Sequence, residues 1–215
     1  MPRTQVAIVG GGPAGLLLSH LLHGHGIDSV VLERQTKAYV LKRIRAGVLE
    51  FGSVQVLRDS GVDERMDREG HAHDGSWIVW QDRDPFLIDT KTHAGRPMWS
   101  YGQTAVTEEL YRIRERDGGR IVEEAENVQL HDLATSAPKV TYDKGGIAET
   151  LECDWAPVAS QFPRVERARA LSSLNRDACV SLLLANGVVP PLDPRLPEAG
   201  YCAMIKRYCS IFLSA

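Results

Sequence analysis

Apolar and polar positions change period several times along this chain, and each change marks an element. Gln5-Val6-Ala7-Ile8-Val9 is a nearly continuous apolar run without alternation, the pattern of a strand buried on both faces of a parallel sheet. Beyond Gly10-Gly11-Gly12-Pro13-Ala14-Gly15 the spacing becomes helical from Leu16 to His25, with Gly26 as the stop. Ser29-Val30-Val31-Leu32-Glu33 predicts a second strand. The short connections make this a β-turn-α-β unit with parallel strands and a right-handed crossover.

Further along, Val48, Leu49, Val54, Val56 and Leu57 predict a helix from Gly47 to Ser60, stopped by Gly61. Ser76–Gln81 and Pro85–Asp89 predict two paired strands. Thr104–Arg116 predicts a helix with Val106, Leu110 and Ile113 on one face and Gly118-Gly119 after its end. Asn127–His131, Lys139–Asp143 and Glu149–Cys153 predict three successive strands, with Asp143-Lys144-Gly145-Gly146 as a hairpin turn. After Trp155 the texture changes: more than half of the chain's 11 prolines fall there, and only Ala178–Ala185 predicts an element.

Composition narrows the classes. A chain of 215 residues with 43% hydrophobic and 25% charged residues suits a globular α/β protein. A net charge of -3 gives no electrostatic ground for nucleic acid or an anionic membrane. No apolar run approaches the roughly 18–20 residues of a membrane span. The apolar run after Met1 is too short for a signal-peptide core, so the cytoplasm is the expected compartment. Cys153, Cys179, Cys202 and Cys209 form no Cys-x-x-Cys pair and read as thiols in a reducing compartment. His20, His23 and His25 lie at a helix C-terminus, where cationic residues need no metal to explain them; no metal is expected.

Gly10-x-Gly12-x-x-Gly15 between a buried strand and a helix is the dinucleotide fingerprint in the context it requires. Gly10 permits the turn, Gly12 lets a pyrophosphate approach the backbone, and Gly15 lets helix and sheet pack closely. Glu33 ends the second strand, where a carboxylate can accept bonds from ribose hydroxyls. The fingerprint alone leaves FAD and NAD equally open.

The neighbouring residues carry a resemblance. Gln5 to Leu18 resembles the N-terminus of class A flavoprotein monooxygenases. Leu32-Glu33-Arg34-Gln35-Thr36 and Tyr39 to Glu50, including Arg43-Ile44-Arg45-Ala46-Gly47-Val48, narrow it to the 4-hydroxybenzoate 3-monooxygenase family. Tyr101-Gly102-Gln103-Thr104 and Leu130-His131-Asp132-Leu133 follow at that family's spacing, and the resemblance spans residues 4 to about 154. It implies a Rossmann-like FAD/NAD(P)-binding fold with an added antiparallel β segment. It also implies FAD as cofactor, NADPH as electron donor, and hydroxylation of 4-hydroxybenzoate to 3,4-dihydroxybenzoate with O2. A small aromatic acid is the implied substrate, and the full-length family member is compatible with a homodimer.

By the same resemblance Gly10, Gly12, Ala14 and Gly15 hold the FAD pyrophosphate and Glu33 the adenosine ribose. Ala14 stands where many relatives carry Ser. Arg43, Ile44, Arg45, Ala46, Gly47 and Val48 form the loop along the flavin, with Gln103 as another FAD contact. Arg34, Gln35, Tyr39 and Arg45 correspond to residues implicated in NADPH use; a guanidinium suits a phosphorylated cofactor. His73 matches a histidine at the outer end of a proton relay, a role suited to imidazole chemistry near neutral pH. His71 lies on the same side of the same expected strand.

The resemblance stops abruptly. Where the family continues with an aromatic residue and Ala-Gly-Cys-Asp-Gly-Phe-His-Gly, this chain reads Trp155-Ala156-Pro157-Val158-Ala159-Ser160-Gln161-Phe162-Pro163-Arg164. The expected division is a partial FAD-binding domain at 1–154, with part of the substrate-domain sheet at 71–101, and a divergent, poorly structured tail at 155–215. Codons for Ala-Gly-Cys-Asp read one base out of phase give Pro-Val-Ala, and those for Phe-His-Gly sit out of frame inside Phe-Pro-Arg. The tail therefore reads as frameshifted, although the two overlaps need different offsets. The family's later Gly-Asp-Ala-Ala-His motif does not occur in the sequence. A fold truncated before its substrate domain is expected to bind FAD at best weakly and to hydroxylate nothing. The alternatives to an FAD-dependent hydroxylase are a non-catalytic FAD-binding remnant and an NAD(P)-dependent oxidoreductase.

Overall fold

The computed structural model describes residues 1–43, 47–133 and 135–159. The expected element at 178–185 and Cys179, Cys202 and Cys209 lie outside them. The elements are β1 (Val6–Val9), α1 (Pro13–Gly24), β2 (Ser29–Leu32), α2 (Lys37–Lys42), β3 (Val48–Leu49), α3 (Phe51–Asp59), α4 (Glu64–Glu69), β4 (His71–His73), β5 (Gly75–Trp80), β6 (Arg83–Asp89), α5 (Thr90–Ala94), β7 (Met98–Ser100), α6 (Gln103–Arg116), β8 (Arg120–Val122), β9 (Glu126–His131), β10 (Lys139–Lys144) and β11 (Ile147–Glu152).

β1, β2 and β8 form a parallel sheet in that order. One face carries Val6, Ile8 and Val31 against Leu22 and Ile27 of the α1 region. The other carries Ala7, Val30 and Leu32 against Val140, Tyr142, Leu151 and Cys153 of the antiparallel sheet β9-β10-β11. Burial on both faces is why β1 and β2 show no polar alternation. Gly145 and Gly146, both at positive φ (57° and 79°), make the two-residue turn between β10 and β11.

Helix α6 lies against α1 in a shared core with Leu16, Leu17, Leu57, Met66, Val106, Leu110, Tyr111 and Ile113. The buried Arg114 pins this contact. Its Nε donates to Ser19 Oγ at 3.0 Å, and Ser19 Oγ lies 2.9 Å from Ser29 Oγ, so α6, α1 and β2 share one polar link. Burial pushes the guanidinium pKa below its ordinary value.

Three expectations change. The helix expected from Gly47 begins only at Phe51, because Val48 and Leu49 pair with Ser100 and Trp99 of β7, and Gly47 O accepts from Tyr101 N–H. The first helix starts at Pro13, three residues earlier than the apolar period shows, because proline at the first helical position is preset for the helix. The tail expected from 155 is still part of the sheet at its start. Ala7 and Val9 N–H donate to Trp155 O and Pro157 O at 2.8 and 2.9 Å, and Ala159 N–H donates to Val9 O at 2.8 Å. Residues 155–159 thus run parallel to β1 on the side away from β2.

β3, β7 and β4 form a small antiparallel sheet, and β5 and β6 a separate hairpin. The hairpin is apolar and wet on both faces: Trp77 and its partner Leu87 are 65% and 40% exposed on one, Phe86 and Ile88 are 48% and 44% exposed on the other. No helix among the described residues is long and apolar enough to cross a membrane.

A two-stranded ribbon without a covered face is marginal in water. Hydrogen exchange should therefore show the β5–β6 amides exchanging about 100-fold faster or more than those of β1 and β2. Equal protection would show that the ribbon has a covered face. Burial pushes the Cys153 thiol up to about 11, and burial with the Glu149 hydrogen bond pushes the Tyr142 phenol up to about 12. Both folded-state pKa values lie above their unfolded values, so the folded chain holds these protons more tightly. Their contribution to stability is intact below about pH 8.5 and is lost as pH rises through the folded values. Thermal unfolding should show a lower midpoint at pH 10.5 than at pH 7.5, and a smaller drop in a Tyr142→Phe chain.

Candidate functional site

The glycine turn is shaped by two close approaches and one opening. Gly10 has φ 118°, a region closed to side chains, and its N–H donates to Leu32 O at 2.8 Å. A Cβ on Gly15 would stand 1.9 Å from Gly10 O, so α1 crosses the turn at a distance only glycine permits. A Cβ on Gly12 would meet nothing within 4 Å, which leaves its Cα facing open space.

Gly12 caps α1 without a side-chain bond, and the first turn holds no acidic residue. Leu16 N–H is the first to reach back, to Gly12 O at 3.0 Å. Pro13 has no N–H, so Ala14 and Gly15 carry the helix-end donors that have no intrahelical acceptor. The positive end of the dipole and these donors suit an anion.

Beside the turn, Glu33 leaves the end of β2 and joins two backbone segments. Its Oε2 accepts from Gly11 N–H at 2.7 Å and its Oε1 from Gln35 N–H at 2.9 Å. Each oxygen keeps a further lone pair for a ligand donor. Sequence reasoning reached Glu33 but not its bond to Gly11, which joins residues 22 apart in sequence. It also missed Tyr111, fully buried on α6 against the same spot: a Cβ on Gly11 would stand 3.1 Å from the Tyr111 hydroxyl. The apolar period of α6 marks Tyr111 only as a core position.

The second group gathers at the start of α6. Gly47 approaches Gly102 so closely that a Cβ would lie 3.1 Å from Gly102 Cα, and Thr104 Oγ1 donates to Arg43 O at 3.4 Å. Arg43, Gly47 and Val48 therefore sit beside Gln103, the first residue of α6. Ile44, Arg45 and Ala46 lie outside the described residues. Gln103 and Tyr111 are eight residues apart on α6, about 12 Å along its axis. The helix thus runs from beside Arg43 and Gly47 to the underside of the glycine turn.

Arg34 is exposed, Gln35 half-buried, and Tyr39 exposed with the Arg43 guanidinium 6.0 Å from its ring centre. His73 is half-buried on β4, paired with Met98 of β7, with Nδ1 3.2 Å from Gly75 O. His71 is on the same strand, and both His71 and Val48 pair with Ser100, so the histidine strand shares a sheet with Val48. His73 is not brought to the glycine turn. His20 Nε2 lies 2.8 Å from Ser60 O.

Two substitutions separate the packing glycine from the open one. Gly15→Ala should cost about 1–3 kcal/mol in urea unfolding, because its methyl must displace the Gly10 carbonyl. Gly12→Ala should leave stability within about 0.5 kcal/mol, since its backbone (φ -77°, ψ -178°) suits any residue. The same methyl should weaken a pyrophosphate-bearing dinucleotide about tenfold in a titration. Unchanged affinity would place the anion elsewhere.

Comparison with known proteins bears on the family and the fold. Residues 3–159 match the family model described as FAD binding domain. The chain is 40% identical over 167 residues to a p-hydroxybenzoate hydroxylase from Acinetobacter baylyi, covering 77% of this chain and 41% of that protein. It is 29% identical over 150 residues to a probable NADH-specific resorcinol 4-hydroxylase from Rhodococcus jostii, covering 69% of this chain and 24% of that protein. The fold matches the crystal structure of p-nitrophenol 4-monooxygenase from Pseudomonas putida with a TM-score of 0.62 at 19% identity, over 74% of this chain and 41% of that one. The chain thus spans about two fifths of the length of the p-hydroxybenzoate hydroxylase it matches. A mixed α/β fold built on the glycine turn and a family match over most of the chain lead to one conclusion: the protein belongs to the FAD binding domain family, among the relatives of flavin-dependent monooxygenases.

Proposed function

We propose that this chain supplies the adenosine and pyrophosphate half of the FAD site of an aromatic hydroxylase whose substrate is 4-hydroxybenzoate and whose electron donor is NADPH. The observation that carries the reading is the Glu33 carboxylate, held by two backbone N–H groups beside an uncapped helix end and an open Gly12. When bound, FAD would pass electrons from the nicotinamide to dioxygen and deliver one oxygen atom to the ring, giving 3,4-dihydroxybenzoate. Ala14 and Gly15 N–H would hold the pyrophosphate, Gly10 and Gly12 would let it approach, and Glu33 would accept the ribose hydroxyls. Arg43 to Val48 and Gln103 would line the flavin. Arg34, Gln35, Tyr39 and Arg45 would meet the nicotinamide cofactor, and His73 would carry a proton at its ring nitrogen. The FAD-binding unit would run to Ala159, with residues 71–101 as part of a substrate-domain sheet.

A second reading is that this polypeptide binds FAD without catalysing hydroxylation. It is favoured by the wet β5–β6 ribbon and by the position of the described cradle, which serves the adenosine side of the cofactor. An isoalloxazine open to water is a poor setting for oxygen transfer, because closed sites are what suppress wasteful side reactions.

One set of measurements tests both. The purified 215-residue chain should quench FAD fluorescence on titration, and Glu33→Ala should weaken that binding by about 1–3 kcal/mol. With FAD, 4-hydroxybenzoate and either NADPH or NADH, chromatography should show no 3,4-dihydroxybenzoate above a no-protein control. Product formation would overturn the non-catalytic reading. Binding of a nicotinamide dinucleotide together with failure to bind FAD would overturn the flavin reading, and an unchanged FAD affinity in Glu33→Ala would remove Glu33 from the site.

A further inference from the structure

The least expected group near the glycine turn is the hydroxyl of Tyr111. The residue is 0% exposed, and its oxygen is buried with no hydrogen-bond partner among the described residues. A Cβ on Gly11 would stand 3.1 Å from this oxygen and 2.7 Å from Glu33 Cβ, so Gly11, Glu33 and the phenol meet at one point. Burial, and then the charges of Glu33, Glu123 and Glu115, push the phenol pKa well above its ordinary value. The hydroxyl therefore keeps its proton and has that proton to donate to a nearby acceptor.

Two of the three carboxylates around it are held by Lys37. Lys37 N–H donates to Glu123 at 2.6 Å, and Lys37 Nζ donates to Glu115 at 2.7 Å while lying 5.4 Å from the Tyr111 ring centre. Glu33 has backbone donors alone, Gly11 N–H and Gln35 N–H. A buried hydroxyl without a partner is unfavourable, and phenylalanine would fill the same space without that cost. A ribose that donates its hydroxyls to the remaining lone pairs of Glu33 adds a pull on the carboxylate that the free chain lacks.

We propose that Tyr111 is a positioning residue for the cofactor: its hydroxyl donates to Glu33 once the ribose of FAD engages that carboxylate. The inference rests on the FAD reading above and adds a residue to it. It predicts opposite signs for one substitution. Tyr111→Phe removes an unpaired group from the free chain, so the free chain is as stable or more stable. The same change removes a donor from the loaded state, so FAD binds more weakly.

The test uses the full chain, with thermal unfolding in the absence of FAD and titration of flavin fluorescence. Tyr111→Phe should leave the unfolding midpoint equal or higher and raise the FAD dissociation constant about tenfold. In a Glu33→Ala chain, adding Tyr111→Phe should produce no further loss, because the acceptor is gone. Equal FAD affinity of the Tyr111→Phe and unmodified chains overturns the proposal, as does a tenfold loss that persists in the Glu33→Ala background. A lowered midpoint in Tyr111→Phe also overturns it, by showing that the hydroxyl already serves the free fold. If the unmodified chain binds no FAD, the cofactor reading fails and this inference fails with it. If it binds and Tyr111→Phe binds equally, the inference alone fails.

Discussion

The whole arrangement depends on one close approach, that of α1 to the end of β1. A methyl group at Gly15 would lie 1.9 Å from the Gly10 carbonyl, so helix and strand meet at backbone distance. This contact aims the N-terminus of α1 across the end of the parallel sheet, where strand ends leave room for a ligand. It also lets Leu16 and Leu17 enter the same core as Leu110 and Tyr111, which brings α6 beneath the turn. Arg114, bonded to Ser19, holds that second helix in place. The uncapped helix end, the Glu33 bridge and the phenol beneath it all follow from this geometry.

Features that rest on local chemistry were legible in the sequence. The unbroken apolar runs of β1 and β2 reflect burial on both faces, the paired glycines before β11 match their positive φ angles, and Glu33 stands in register at the end of its strand. Features that rest on distant partners were not. Val48 and Leu49 have a helical spacing with Val56, yet pairing with Ser100 and Trp99 draws them into a strand. A three-residue strand such as β7 has too few positions to show a period, and its pairing to β3 and β4 is what defines it. Tyr111 was invisible as a site residue because its position on α6 fits the core pattern perfectly well, and only the tertiary meeting with Gly11 gives its hydroxyl a meaning.

The site is divided between two kinds of support. The glycine turn and Glu33 stand on buried strands with a core on each face of the sheet. The histidine strand and Val48 stand on a small antiparallel sheet, beside a ribbon with apolar side chains in water. In the proposed reading, binding of the adenosine half would rely on the firmest part of the fold, and chemistry at the ring end on the least covered part. The resemblance to aromatic hydroxylases is carried by both parts, but their physical robustness differs.

The pairing of residues 155–159 with β1 bears on how the chain comes together. β1 is an interior strand, with β2 on one side and this segment on the other. Val9 and its partner Val158 are separated by roughly 150 residues. During synthesis at about 5–20 residues per second, that separation amounts to roughly 8–30 seconds in which the first strand made has one open edge. Until the ribosome has passed this segment, the nascent glycine turn rests on a half-paired strand, and any molecule offering an extended backbone competes for that edge. Closure of the sheet is therefore a late event in the birth of this domain, although its most recognisable residues emerge first.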